Sequence, residues 1–349
     1  MMPPELAGFV LATSATFALT PVVIAEARRA GALDHPGAQK VHAEAVPTLG
    51  GLGLVAAVLG TLWILQATGI GIASHHAIGL TLAALPVVAV GAWDDLRACG
   101  IPTKLGAHFL AGAILYAAGL RVVELTNPFG STVPLGPLGA LVTMLWVATV
   151  INALNLVDGL DGLAPGIGGI AALSLCAVGF LKDEREVAVL ALVLAGAVLG
   201  FYPYNFPRAR IFLGDVGSTF IGLVLATVSL LENRKATAAM TLLLPLVALG
   251  LPVLDTVFAV VRRTARGRNP FRRDMEHLHH RLLRLGLSPQ QTVGYLLAVS
   301  MVFGLVAVLL TRLPKQAALS MTVLLGVLIF AALGALTYME RRSQNGSLP

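Results

Sequence analysis

One recurrence constrains this chain more than any other feature. Long apolar stretches return eleven times along it, at 6–25, 49–70, 77–93, 105–120, 137–157, 163–181, 187–203, 217–231, 237–261, 292–311 and 317–338. Roughly 17–25 apolar residues is the length of helix that crosses the hydrocarbon of a bilayer. Backbone groups there must be satisfied within the segment, which excludes open sheet. The sequence therefore predicts an all-α, polytopic membrane bundle of about 11 transmembrane helices. It reads as a single domain over 1–349, with a short cytoplasmic tail at 340–349. Charged residues make up 12% of the chain, against about 25% in soluble domains. No removable signal peptide is expected, because the first span lacks a basic leading region and a cleavage site. Cys99 and Cys176 stand far apart without metal-ligand spacing, and read as two small packing side chains.

An odd number of spans puts the two termini on opposite sides. With the N-terminus outside, the segments 26–48, 94–104, 158–162, 204–216, 262–291 and the tail share one side and carry 17 of the 24 Lys and Arg residues. Positive charge favours the cytoplasm, so that side is assigned as cytoplasmic, although eight of the 17 are arginines of 262–291. The outer loops carry mixed charges such as "KDERE" (182–186), as short solvated turns do. His75 and His76 fall there as ordinary loop or interface residues.

Every unusual polar motif falls on the cytoplasmic side. These are "LDHPGAQKVHAEAVPTLGG" (33–51), "GAWDDL" (91–96), "NALNLVDGLDGLAPG" (152–166), "RARIFLGDVGST" (208–219) and "NPFRRDMEHLHHRLLRLG" (269–286). Adjacent Asp94 and Asp95 repel one another unless a cation or proton intervenes, and acids near membrane depth mark function. Asp158 and Asp161 are three apart, beside Gly159 and Gly162, which allow a tight turn. Asp215 sits between Gly214 and Gly217 at the mouth of an apolar span, where a helix N-terminus favours anions. Carboxylates and amides without thiolates suit Mg²⁺ or Mn²⁺ better than zinc.

The basic side of the site is equally concentrated. His277, His279, His280 and Arg281 follow Arg272 and Arg273. A His-x-His-His run can bind a transition metal or hold an anionic diphosphate; its arginine neighbours favour the anion. Lys40, His42 and Lys104 add donors from two further loops. Five carboxylates beside such cations suggest metal-assisted phosphoryl transfer, which needs orientation and charge stabilisation more than an elaborate nucleophile. A membrane location suits a lipid-linked acceptor.

The five motifs, in this order, resemble those of the polyprenyl-phosphate N-acetylhexosamine-1-phosphate transferases, and most closely the undecaprenyl-phosphate N-acetylglucosamine-1-phosphate branch. The resemblance implies that a polyprenyl phosphate attacks the sugar-bearing phosphorus of a UDP-N-acetylhexosamine, giving polyprenyl-diphosphate-sugar and UMP. It implies a bacterial inner-membrane enzyme of cell-envelope glycan synthesis, with membrane lipids around it, no nucleic-acid partner, and a homodimer as a further expectation. It assigns Asp215, with Asn155, to Mg²⁺. Asp94 and Asp95 lie by the phosphates or carrier, Asp158 and Asp161 line the nucleotide site, and Lys104 follows the aspartate pair. Asn152, Asn155, Lys40, His42 and Phe212 join the substrate contacts, Phe212 by stacking on uracil. His277, His279, His280 and Arg281 meet diphosphate and sugar.

Two features refine the branch. The phospho-N-acetylmuramoyl-pentapeptide transferases carry three consecutive histidines and tend to have ten spans; this chain reads His277-Leu278-His279-His280 and has eleven. His108 stands where the family often has Gln, and reads as a packing or carrier-groove residue. Asp255 also fits the family pattern and is expected to pair with Arg262 or Arg263. Among rivals, a quinone-type prenyltransferase would show NDxxDxxxD, and a CDP-alcohol phosphotransferase a longer acidic motif. A transporter would place its acids near the bilayer midplane, whereas these lie at span ends.

Overall fold

The computed structural model describes residues 4–35, 44–126, 132–233, 243–265 and 277–344. Lys40, His42, Arg272 and Arg273 lie outside the described residues. The chain opens with α1 (Pro4–Arg29), a two-residue antiparallel pair β1 (Leu33–Asp34) and β2 (Val46–Pro47), then α2 (Gly51–Ala67), α3 (Ser74–Leu96) and α4 (Ile101–Ala117). A hairpin follows, β3 (Glu124–Thr126) against β4 (Thr132–Pro134), in the register Leu125↔Val133. Then come α5 (Leu138–Val157), α6 (Leu163–Leu181), α7 (Arg185–Asn205) and α8 (Gly214–Asn233). The last elements are α9 (Leu243–Ala248), α10 (Gly250–Ala265), α11 (Leu278–Arg284), α12 (Pro289–Leu310) and α13 (Lys315–Gln344).

Among the described residues, helix is found in each of the eleven apolar stretches. Seven of them, among the described residues, are long and apolar enough to cross a membrane, and α2 and 316–331 are shorter apolar helices. The ninth stretch departs from the expectation of one unbroken span, because it is divided at Leu249 into α9 and α10. Pro252 brings no N–H to the ladder there, and Gly250 lies against the ring of Phe303.

The bundle is organised around α8, which packs on α5, α3, α7, α2 and α6. Lipid tails are as apolar as leucine, so helices in a bilayer associate through close packing of small residues and through hydrogen bonds. The sequence of α8 supplies both. A Cβ on Gly51 at the start of α2 would stand 2.2 Å from Gly217 N, and one on Gly91 of α3 would stand 2.8 Å from Val216 N. The first turn of α8 thus touches two neighbouring backbones. Deeper in, Trp146 Nε1 of α5 donates to Ser229 Oγ at 2.7 Å, a bond of the kind that contributes about 0.6 kcal/mol in a membrane.

The far end of the bundle departs from the expectation of plain solvated turns. His76 lies inside α3, fully buried, with Nδ1 2.8 Å from Glu186 Oε2 of α7. Glu184, just before α7, is buried as well. Arg185 Nε donates to Glu5 Oε1 of α1 at 2.9 Å. Charges there tie helices together.

Candidate active site

The acidic motifs meet at the opposite end of the bundle, where α3, α5 and α8 come together. Asp94 and Asp95 stand side by side in the last turn of α3, yet they face different partners. Asp95 accepts the backbone N–H of Asp215 through Oδ1 at 2.8 Å and that of Val216 through Oδ2 at 3.2 Å. Those N–H groups belong to the first turn of α8, which no intrahelical carbonyl can satisfy, so Asp95 works as a cap supplied from another helix. Its carboxylate fills the space where a Cβ on Gly214 would be, at 2.4 Å, and Gly214 has φ +71°. That close approach with a left-handed backbone is what the "LGD" sequence provides.

Asp94 turns the other way. Its Oδ1 accepts Cys99 N–H at 2.8 Å, and its Oδ2 takes a 2.7 Å hydrogen bond from Lys104 Nζ. The same Lys104 ammonium also donates to Asp215 Oδ2. One cation from the start of α4 therefore bridges α3 and α8, and the repulsion expected of the Asp-Asp pair is relieved by this division of labour.

Asn155, in the last turn of α5, donates from Nδ2 to Ser218 Oγ at 3.1 Å, and Ser218 in turn donates to Gly214 O at 3.1 Å. Ser218 is three residues after Asp215, on the same helix face. The amide oxygen of Asn155 and Oδ1 of Asp215 take part in no hydrogen bond among the described residues. Asp158 lies just past the end of α5. Its removal from water, and then the charges of Asp215, Asp95 and Asp161, hold its carboxyl well above the usual carboxylate range. Negative charge is in excess here, and Asp158 registers it.

Asp161, in the α5–α6 turn, accepts Ala209 N–H at 2.9 Å and so secures the loop that leads into α8. Asn205, at the end of α7, reinforces the same joint. Buried, it accepts Gly162 N–H at 2.8 Å and donates to Ile211 O at 3.0 Å. Phe212 is half-buried in that loop, and its backbone pairs with Pro47 O at 2.9 Å and Gly50 N at 3.0 Å. The loop before α2 is thereby zipped to the edge of the site.

The histidine segment arrives from the side. A Cβ on Gly159 would meet His279 Nε2 at 2.4 Å, so α11 lies on the turn next to Asp158. Burial, with His280 beside it, pushes His279 down to about 4; it is neutral at pH 7. His277 Nδ1 is 2.9 Å from Asp255 Oδ2, and Leu278 N–H donates to Asp255 Oδ1 at 3.1 Å. The expected pairing of Asp255 with Arg262 or Arg263 is corrected by this geometry: the carboxylate faces α11. Arg281 is buried and His280 half-buried on the same short helix.

Asn152 stands apart from this set. One turn deeper in α5, its Nδ2 donates to Ala148 O at 2.7 Å and lies 3.0 Å from His108 Nδ1. It serves the α4–α5 contact, where His108 is buried. Reading the sequence alone missed Asn205 and Ser218. The signal for Asn205 was a lone amide in "FYPYNFP", since a polar side chain in an apolar run must find partners. Among the described residues no three His, Cys, Asp or Glu side chains cluster closely enough to enclose a metal ion unaided.

A membrane bundle whose carboxylates, one bridging lysine and a histidine segment share one end defines a class: integral membrane enzymes that handle phosphates. Residues 77–233 match the glycosyl transferase family 4 profile. The chain is 35% identical to a decaprenyl-phosphate N-acetylglucosaminephosphotransferase of Mycobacterium tuberculosis (strain H37Rv), over 97% of this chain and 90% of that protein. Identity is 36% to the protein of the same name in Mycolicibacterium smegmatis, covering 91% and 84%. It is 28% to the undecaprenyl-phosphate alpha-N-acetylglucosaminyl 1-phosphate transferase of Escherichia coli K12, covering 76% and 72%. The chain belongs to the family of polyprenyl-phosphate N-acetylglucosamine-1-phosphate transferases.

Proposed function

We propose that this protein transfers N-acetylglucosamine 1-phosphate from UDP-N-acetylglucosamine to a polyprenyl phosphate at the inner face of a bacterial membrane. A phosphate oxygen of the carrier attacks the sugar-bearing phosphorus. The bond from that phosphorus to the bridging oxygen breaks, and UMP leaves with the electron pair. The donor sugar follows the relatives' names, and the inner-face orientation follows the distribution of Lys and Arg.

The observation that carries the reading is the meeting of Asp94, Asp95, Lys104, Asp158 and Asp215 at the ends of four helices. Lys104 places a positive charge between two carboxylates, within reach of an entering phosphate oxygen. Asp95 keeps α8 capped and its first turn fixed, while Asp161 and Asn205 hold the neighbouring loop in register with it. A phosphate monoester has a second pKa of about 6, so the acceptor arrives largely ionised and asks little of a base. The donor set also fits Mg²⁺, which takes hard oxygen ligands and shares its shell with waters and phosphates. Asp215 and Asn155 would hold it, and when bound it supplies charge neutralisation across the diphosphate.

The test uses the full chain in lipid nanodiscs with undecaprenyl phosphate and a panel of UDP-sugars. UDP-N-acetylglucosamine should yield a diphosphate-linked lipid and UMP; EDTA should stop the reaction and Mg²⁺ restore it. A lipid product from UDP-N-acetylmuramoyl-pentapeptide alone would reassign the donor, and no lipid product from any sugar would end the reading. Indifference to EDTA would remove the metal from it.

A further inference from the structure

Asp255 lies on α10, outside the acidic cluster, and the transfer scheme gives it no task. It is nevertheless 6% exposed, and both of its oxygens are committed to α11. An ionised carboxylate has no proton to give, so in the bond between them Nδ1 of His277 is the donor. Nε2 is then the nitrogen left to present, and it has no hydrogen-bond partner among the described residues. The imidazole is 4% exposed and lies parallel to the ring of His279, 6.1 Å away. His279 in turn lodges on Gly159, next to Asp158. A buried ring anchored through one nitrogen has one way to direct the other.

We propose that Asp255 is a positioning residue for the transfer reaction: it anchors His277 through Nδ1, so that Nε2 faces the diphosphate of the nucleotide sugar. The inference rests on the reaction proposed above. Asp255 touches no substrate and acts through His277. A carboxylate that merely capped the short helix α11 through Leu278 N–H would look similar in a single variant, so the two roles must be separated by coupling.

The experiment measures kcat and KM for UDP-N-acetylglucosamine, by UMP release in nanodiscs, for Asp255→Ala, His277→Ala, the double variant and Asp255→Asn. Loss of a hydrogen bond to a charged group predicts a rise in KM of about tenfold or more for Asp255→Ala. In the His277→Ala background the same change should have almost no further effect. Asp255→Asn can still accept from Leu278 N–H, but its amide donates to Nδ1 and reverses the imidazole tautomer. It should keep the wild-type melting temperature and still raise KM, and it carries the test alone if Asp255→Ala fails to fold. An undiminished effect of Asp255→Ala without His277, or a wild-type KM in Asp255→Asn, overturns the inference and leaves the transfer reaction standing. No product from the wild-type protein overturns the reaction itself, and the role of Asp255 with it.

Discussion

The two ends of the bundle handle charge in opposite ways. At the end where α3 begins, His76 meets Glu186 and Arg185 meets Glu5, each group answered by a nearby hydrogen-bond partner. About 30 Å along α3, by the rise of a helix, Asp94, Asp95, Asp158 and Asp215 crowd together, and Lys104 bridges two of them. Polar pairs that join helices leave little over for a visitor. Four crowded carboxyls with one lysine between two of them leave acidic groups that no cation of the fold answers, and crowding of that kind is what sites of chemistry show more often than structural joints do.

The contrast is most exposed to Asp215→Ala, which should cut turnover by on the order of a thousandfold, whereas Glu186→Gln at the far end should leave kcat unchanged. Equal losses in a UMP-release assay would erase the distinction between the ends. Asp158→Asn comes next. The fold raises the pKa of this carboxyl, so its ionised form is disfavoured at pH 7, and the penalty grows as pH rises from the unfolded value toward the folded one. The asparagine variant should therefore melt a few degrees higher while turnover falls by about a hundredfold; a lower melting temperature would show that the charge is not in excess.

Asn205→Ala should have an intermediate effect. It leaves Gly162 N–H and Ile211 C=O without their partner, at about 1–3 kcal/mol, and should lower turnover by about tenfold as the loop before α8 loosens. Wild-type kinetics with a wild-type melting curve would deny that this joint matters. The smallest effect concerns acid. His279 titrates at about 4 in the fold, against about 6.5 for a free imidazole. The unfolded chain therefore takes up a proton that the fold refuses. The contribution is complete above about 6.5 and declines as pH falls toward 4. Melting temperatures between pH 7 and 5 should drop less for His279→Gln than for the wild type.

Much of this was legible in the chain. Each of the eleven apolar stretches is helical among the described residues, and the motifs "WDDL", "NLVDG" and "FLGDVGST" did meet. Hydrocarbon thickness sets the first by length alone, and the second follows because two of the motifs close a helix and the third opens one at the same end of the bundle. What stayed hidden joins residues whose chemistry gives no local cue. The capping of α8 by Asp95 pairs positions 120 apart in sequence, and Asp255 faces His277 across 22 residues rather than an arginine one or two turns along its own helix. The break at Leu249 was similarly masked, because an apolar count does not register whether proline and glycine interrupt a span or merely ride in it. The contact of Asn152 was hidden too: it lies three residues before Asn155 in the motif, and one turn of helix brings its Nδ2 to His108.

The contacts of Gly51 and Gly91 with the first turn of α8 have a further consequence. Where main chain rests directly on main chain, no side chain is available to be trimmed or enlarged, and the usual route to a wider separation is closed. Descendants of this fold can change the side chains nearby as often as they like, but the spacing of these three helices is inherited. Variation at this joint must then come from the side chains around the contact, not from within it.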